Sequence, residues 1–135
     1  MSQIFRRALL ALVFISAALP ALAHHAVQAQ FDFDKPIQLK GTLAKIEWVN
    51  PHSYFYFDVT DSKGEVKRWA FESTGPGGLR KAGLSRAARG GFKVGDTYNI
   101  HGFASRDGTT SGFVTAFGFP DGRLVTIWFG DPNAN

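Results

Sequence analysis

The chain has 135 residues, a formal net charge of +4 and no cysteine. The last point excludes disulfides, thiolate metal sites and cysteine nucleophiles, and it excludes lipid attachment at an N-terminal Cys. Thirteen Phe, three Trp and three Tyr must then supply much of the packing that cross-links would otherwise assist.

Arg6 and Arg7 open the chain and precede an uncharged apolar run, Ala8 to Leu19. Ala21-Leu22-Ala23 then gives the small-x-small pattern of a signal-peptidase site. The run is too short to span a bilayer, which takes roughly 20 residues. Residues 1–23 are therefore expected to be a signal peptide, with the mature chain starting at His24 and a periplasmic or secreted location. A retained anchor or a buried helix is the competing reading, disfavoured because polar His24-His25 follows the triplet at once. Removing 23 residues from 135 leaves 112, enough for one core and not two. Arg6 and Arg7 leave with the signal and no acid does, so the net charge falls from +4 to +2. So mild a basicity does not point to a nucleic-acid partner.

Residues 24–36 read as an extended N-terminal segment, with Phe31 and Phe33 set among Asp32 and Asp34. From Ile37 the pattern has period two: Ile37, Leu39, Gly41 and Leu43 alternate with polar residues. The apolar phase then slips by one and continues through Ala44, Ile46 and Trp48, as a β-bulge would make it do. Asn50-Pro51 breaks the run. His52 to Thr60 is the second strand, with Ser53, Phe55, Phe57 and Val59 on one face and His52, Tyr54, Tyr56 and Asp58 on the other. Asp61-Ser62-Lys63-Gly64 is a hairpin turn and Val66 to Glu72 the third strand. After the Gly-rich stretch Ser73 to Gly78, Leu79 to Gly91 has helical character in two short pieces, the second capped by Ser85 and ended by Gly90. Val94-Gly95-Asp96 is a turn. Thr97 to Phe103, Gly112 to Phe119 and Leu124 to Phe129 complete the strands, the last after the Asp121-Gly122 turn. Three strands, a helix, then two or three strands predict an all-β domain over residues 37–130, an OB-fold-like five- to six-stranded Greek-key barrel, with an open sandwich as the rival.

Four histidines carry most of the candidate chemistry. Cleavage after Ala23 would free an α-amine on His24, which with its own ring Nδ1 can chelate a metal while a further imidazole completes the set. Amine and imidazole nitrogens suit Cu(II) first. His25 adds an imidazole, His52 is held at a rigid strand entry after Pro51, and His101 lies on the fourth strand. The bland alternative is that His24-His25 is a solvated end and His52 a hydrogen-bonded turn residue. Glu72, the one acid closing an apolar strand, is read first as an acceptor for the Ser73 to Gly78 turn. It can otherwise be a carboxylate ligand, a partner orienting an imidazole, or a general base. Arg80, Lys81, Arg86, Arg89 and Lys93 are read as a solvated basic face before an anion site. Tyr54 and Tyr56 share the His52 face and can stack a ligand. Ser53 and His52 are not a catalytic pair, because neighbours on a strand point to opposite faces.

His24-His25, Phe31-Asp32, Gly41-Thr42 and Trp48-Val49-Asn50-Pro51-His52 form a recognisable set. So do Trp69 and Glu72, Leu79 and Gly83, Gly95-Asp96, Asp107-Gly108 and Asp121-Gly122-Arg123. Together they resemble the bacterial exported family "domain of unknown function 6152" across essentially the whole mature chain. Leu84 departs from the resemblance, standing where an aromatic is expected. The resemblance implies a periplasmic or secreted protein and supplies no activity.

Three functional readings result. The first is an exported copper-binding carrier, buffer or redox accessory, with His24, His25 and His52 as ligands and Glu72 or His101 nearby. The second is a metal-free module whose barrel face, with Tyr54, Tyr56 and the basic helix region, holds an envelope partner or small anionic ligand. The third is a small enzyme using His52 and Glu72 as an acid–base pair.

Overall fold

In a computed structural model the chain divides into two units, Met1–Gln30 and Phe31–Asn135. The structure describes residues 27–85 and 91–128. His24, His25, the signal segment and the second helical piece with its Gly90 end lie outside the described residues. Residues 27–30 are helical. The second unit holds six strands: β1 (Phe31–Glu47), β2 (Tyr54–Thr60), β3 (Val66–Glu72), β4 (Thr97–Ser105), β5 (Ser111–Gly118) and β6 (Leu124–Thr126). A short helix, α1 (Pro76–Lys81), lies between β3 and β4.

The strands form a single sheet in the order β3-β2-β1-β4-β5-β6, antiparallel at each step. Residues 70–72 of β3 also pair, in parallel, with residues 111–113 of β5, so β1 to β5 are bonded in a ring. The described residues are thus mostly β, with six strands, as the sequence pattern requires. Among the described residues no helix is long and apolar enough to cross a membrane.

β1 makes the ring possible because it serves two partners. Pro36 to Thr42 pair with β4, and Thr42 to Glu47 pair with β2. The handover falls at Gly41-Thr42, where a Cβ on Gly41 would press on Val59 and Phe57. The register slips between Leu43 and Lys45, where the apolar phase of the sequence slips, so the bulge keeps both Leu43 and Ile46 turned inward. β1 begins at Phe31, six residues ahead of the alternation that announces it. Phe31 packs on Phe113 at 5.7 Å between ring centroids, and Phe33 on Phe103 at 4.7 Å and on Trp128 at 5.5 Å. These partners come from far along the chain, which is why the local pattern hides the start of the strand.

The main core lies inside the ring. Phe55, Phe57, Phe71, Ile100 and Phe117 are fully buried. Phe55 contacts Phe92 and Phe117 at 4.8 Å each. Leu84 is buried with them and its N–H donates to the Leu79 carbonyl at 2.9 Å. An aliphatic side chain is what fills this position here. Tyr98 is fully buried, and its hydroxyl accepts from the Lys93 N–H at 2.8 Å.

Candidate functional site

With the inner face of β2 committed to Phe55, Phe57 and Val59, the period of the strand sends His52, Tyr54, Tyr56 and Asp58 outward. Cross-strand register then decides their neighbours. Tyr54 lies opposite Glu47 of β1 and opposite Glu72 of β3; Tyr56 lies opposite Lys45 and Ala70; Asp58 lies opposite Arg68. The outer face therefore carries two Tyr–Glu couples and one Asp58–Arg68 pair, whose Nη2–Oδ2 distance is 2.9 Å.

The couple at the end of β3 is the more enclosed. The Glu72 side chain is 10% exposed, and its Oε1 meets Nδ1 of His52, whose side chain is 29% exposed. Its Oε2 accepts from the Tyr54 hydroxyl at 3.5 Å. A buried carboxylate needs donors, and here they are an imidazole and a phenol. Glu72 as an acceptor for the Ser73 to Gly78 turn is thereby corrected. Pairing with Tyr54 fixes its side chain on the outer face, beside His52, and the turn satisfies itself by other bonds.

Those other bonds hold the histidine in place. Ser53 N–H donates to Thr74 O at 3.3 Å, and Ser73 N–H donates to Ser53 O at 2.9 Å. The Ser73 hydroxyl reaches Thr74 O at 2.9 Å and Ser53 O at 3.2 Å, while that of Ser53 reaches Val49 O at 3.4 Å. Both serines are fully buried. The loop carrying His52, with its cis Asn50–Pro51 bond, is thus clasped to the segment that follows Glu72. Ser53 is a structural residue facing away from His52, as strand geometry requires.

Contact with a carboxylate, which only accepts, places the single hydrogen of a neutral imidazole on Nδ1, so that in this form Nε2 is the nitrogen with the lone pair. Among the described residues Nε2 has no partner. A neutral imidazole so oriented can ligate a metal or accept a proton.

The second couple is built from residues the motif reading did not single out. The Glu47 carboxylate meets the Lys45 ammonium and accepts from the Tyr56 hydroxyl at 3.0 Å. Lys45, foremost, and then Tyr56 hold Glu47 below the usual carboxylate range, while Glu47 raises Lys45. The Lys45 ammonium also lies 5.4 Å from the Tyr56 ring centroid. Burial first, then the neighbouring glutamate, raises both phenols: Tyr54 beside Glu72 and Tyr56 beside Glu47. The signal for Lys45 and Glu47 was present in the sequence. They occupy the phase opposite Ala44, Ile46 and Trp48 after the bulge.

His101 sits elsewhere, on β4 between Gln38 of β1 and Ala116 of β5. It lines a cleft of about 340 Å³ with Ile37, Gln38, Phe103 and Thr115. Among the described residues no three His, Asp or Glu side chains come together as a metal-ligating group. His52 and Glu72 are the expected site residues that the fold brings into contact. Arg80 and Lys81 occupy the last turn of α1 and are exposed.

These features define a small, mostly β domain with one imidazole–carboxylate couple at a loop junction. The chain belongs to a family of unknown function, DUF6152, whose sequence pattern matches residues 11–115. A comparison with curated proteins gives no match.

Proposed function

We propose that this is an exported metal-binding protein, copper first, acting as a carrier or redox accessory with His52 as its fixed ligand. The observation that carries the reading is the Glu72 contact at Nδ1 of His52. A carboxylate behind an imidazole fixes the tautomer, orients the ring and raises the basicity of the nitrogen that faces out. One imidazole does not hold Cu(II) tightly, so further nitrogens are required. The sequence offers them in the amine and ring of His24 and in the imidazole of His25. An α-amine with a reference pKa of about 7.7–8.0 yields its proton to a metal near neutral pH.

The test is titration of the processed chain with Cu(II), followed by EPR. The expected result is one tightly bound ion with nitrogen hyperfine coupling, weakened by His52→Ala and by one extra Ala ahead of His24. Binding that ignores both changes would sink the reading. The acid–base alternative rests on the same His52–Glu72 contact, and turnover of a small substrate without metal would favour it.

A further inference from the structure

Gly75, Gly77 and Gly78 follow one another in a stretch that has the look of a loop for anions, yet their surroundings are unlike. A Cβ on Gly77 would meet nothing within 4 Å. A Cβ on Gly78 would press on the side chain of Thr74, which can turn aside. A Cβ on Gly75 would fall well inside contact with the Pro51 carbonyl oxygen, and 3.2 Å from Asn50 Oδ1. Backbone cannot turn aside. Gly75 has φ −68° and ψ 174°, which any residue can adopt, so the requirement for glycine here is one of space.

We infer that Gly75 is a positioning residue for His52. Its bare backbone lets the Asn50-Pro51 loop close onto the segment after Glu72 and thereby sets the imidazole against the carboxylate. Three observations bear on this. The Pro51 carbonyl occupies the place of the missing side chain, one residue before His52. The Ser53–Thr74 and Ser73–Ser53 bonds tie the same two segments on the other side of His52 and Glu72. The contact that results is the one that selects the Nδ1–H tautomer. A free imidazole chooses between its two nitrogens by their partners, so a loop displaced by the width of a methyl group gives up the choice.

Gly75→Ala is the variant, Gly77→Ala its control, and the first readout is the His52 ring by nitrogen–proton NMR on the metal-free full chain, at a pH where the ring is neutral in both proteins. The wild type is expected to show a slowly exchanging Nδ1–H and an acceptor-type Nε2. Gly75→Ala is expected to lose that Nδ1–H signal and move to a mixture of tautomers, whereas Gly77→Ala leaves it in place. A folded Gly75→Ala protein with an unchanged His52 ring overturns the inference. Should Gly75→Ala fail to fold, Ser73→Ala loosens the same clasp without adding atoms. A shift of the His52 ring toward mixed tautomers then supports the inference, and an unmoved ring overturns it.

The second readout rests on the metal reading above. Loss of an outer support of a ligating histidine costs about 10–100-fold in metal affinity, so Cu(II) binding by Gly75→Ala is expected to weaken by that factor. If the wild type binds no Cu(II) but the tautomer still responds to Gly75→Ala, the metal reading fails and the positioning role stands.

Discussion

Glu72 and Glu47 flank Tyr54 on the same outer face, each takes a hydrogen bond from a tyrosine, and each faces a nitrogen. They are nonetheless different devices. Glu47 is about one-third exposed and pairs with Lys45, a permanent cation on a flexible stem two residues away on its own strand. Such a pair is screened by water and ordered at an entropic cost, so it contributes little to stability. Glu72 is nearly enclosed and pairs with an imidazole brought from another segment. Its partner has a second ring nitrogen, which a lysine lacks. The arrangement of Lys45, Glu47 and Tyr56 joins a flexible ammonium and a phenol to an acid that water also reaches, whereas that of Glu72, Tyr54 and His52 includes a ring nitrogen, Nε2, that no described residue contacts. What separates a surface ion pair from a candidate site here is the identity of the cation and the burial of the acid.

The largest difference is expected on removing each nitrogen. His52→Ala leaves an enclosed carboxylate short of its main donor, a loss worth about 1–3 kcal/mol, to be read from urea unfolding at neutral pH. Lys45→Ala exposes Glu47 to water that replaces the ammonium, and its urea midpoint is expected not to move. Equal effects from the two substitutions would mean that the enclosure of Glu72 has no energetic weight, and the comparison would fail.

Where the sequence was informative, the reason is burial. The slip between Leu43 and Ala44 marked the bulge because both phases had to reach one core, and the alternation on β2 assigned Tyr54, Tyr56 and His52 to the outer face. The bonds of Glu72 were not legible in the same way. Which strand residue lies beside it depends on the register of β3 against β2, and register is a property of two segments. Gly75 left no local mark either, because its φ and ψ are ordinary and only the approach of Pro51 demands a glycine. Phe31 and Phe33 read as part of an extended N-terminal segment because their partners, Phe113, Phe103 and Trp128, come from β5, β4 and the chain beyond β6. The chelate reading of His24 and His25 comes from the order of residues around Ala23, since both histidines fall outside the described residues.

A smaller effect separates the two phenols. Tyr56 donates to Glu47 at 3.0 Å and Tyr54 to Glu72 at 3.5 Å, so distance alone ranks Tyr56 as the more important. Enclosure reverses the order. Water can take the place of the Tyr56 hydroxyl at Glu47 but has poor access to Glu72. Tyr54→Phe is therefore expected to cost about 0.5–1.5 kcal/mol and Tyr56→Phe less, by the same urea measurement. The opposite order would show that bond length governs this face.

The smallest effect is one of slope, at alkaline pH. Burial is the first cause that raises Tyr54, Tyr56 and Tyr98 above the ordinary phenol value. At Tyr54 the charge of Glu72 is the second cause and nothing offsets it; at Tyr56 the Lys45 ammonium pulls the other way. A phenol that ionises later in the folded chain than in the unfolded one leaves the folded state holding more protons. Stability then falls as pH rises. The contribution is complete below the unfolded value of about 10 and is lost as pH climbs through the higher folded values. Urea midpoints measured from about pH 9 upward are expected to decline in the wild type. The decline should flatten in Tyr54→Phe and Tyr98→Phe and change least in Tyr56→Phe, where lysine already tempers the shift. If Tyr56→Phe flattened the curve as much as Tyr54→Phe, the two glutamates would be electrostatic equals, and the distinction between a paired surface acid and an enclosed one would have to be abandoned.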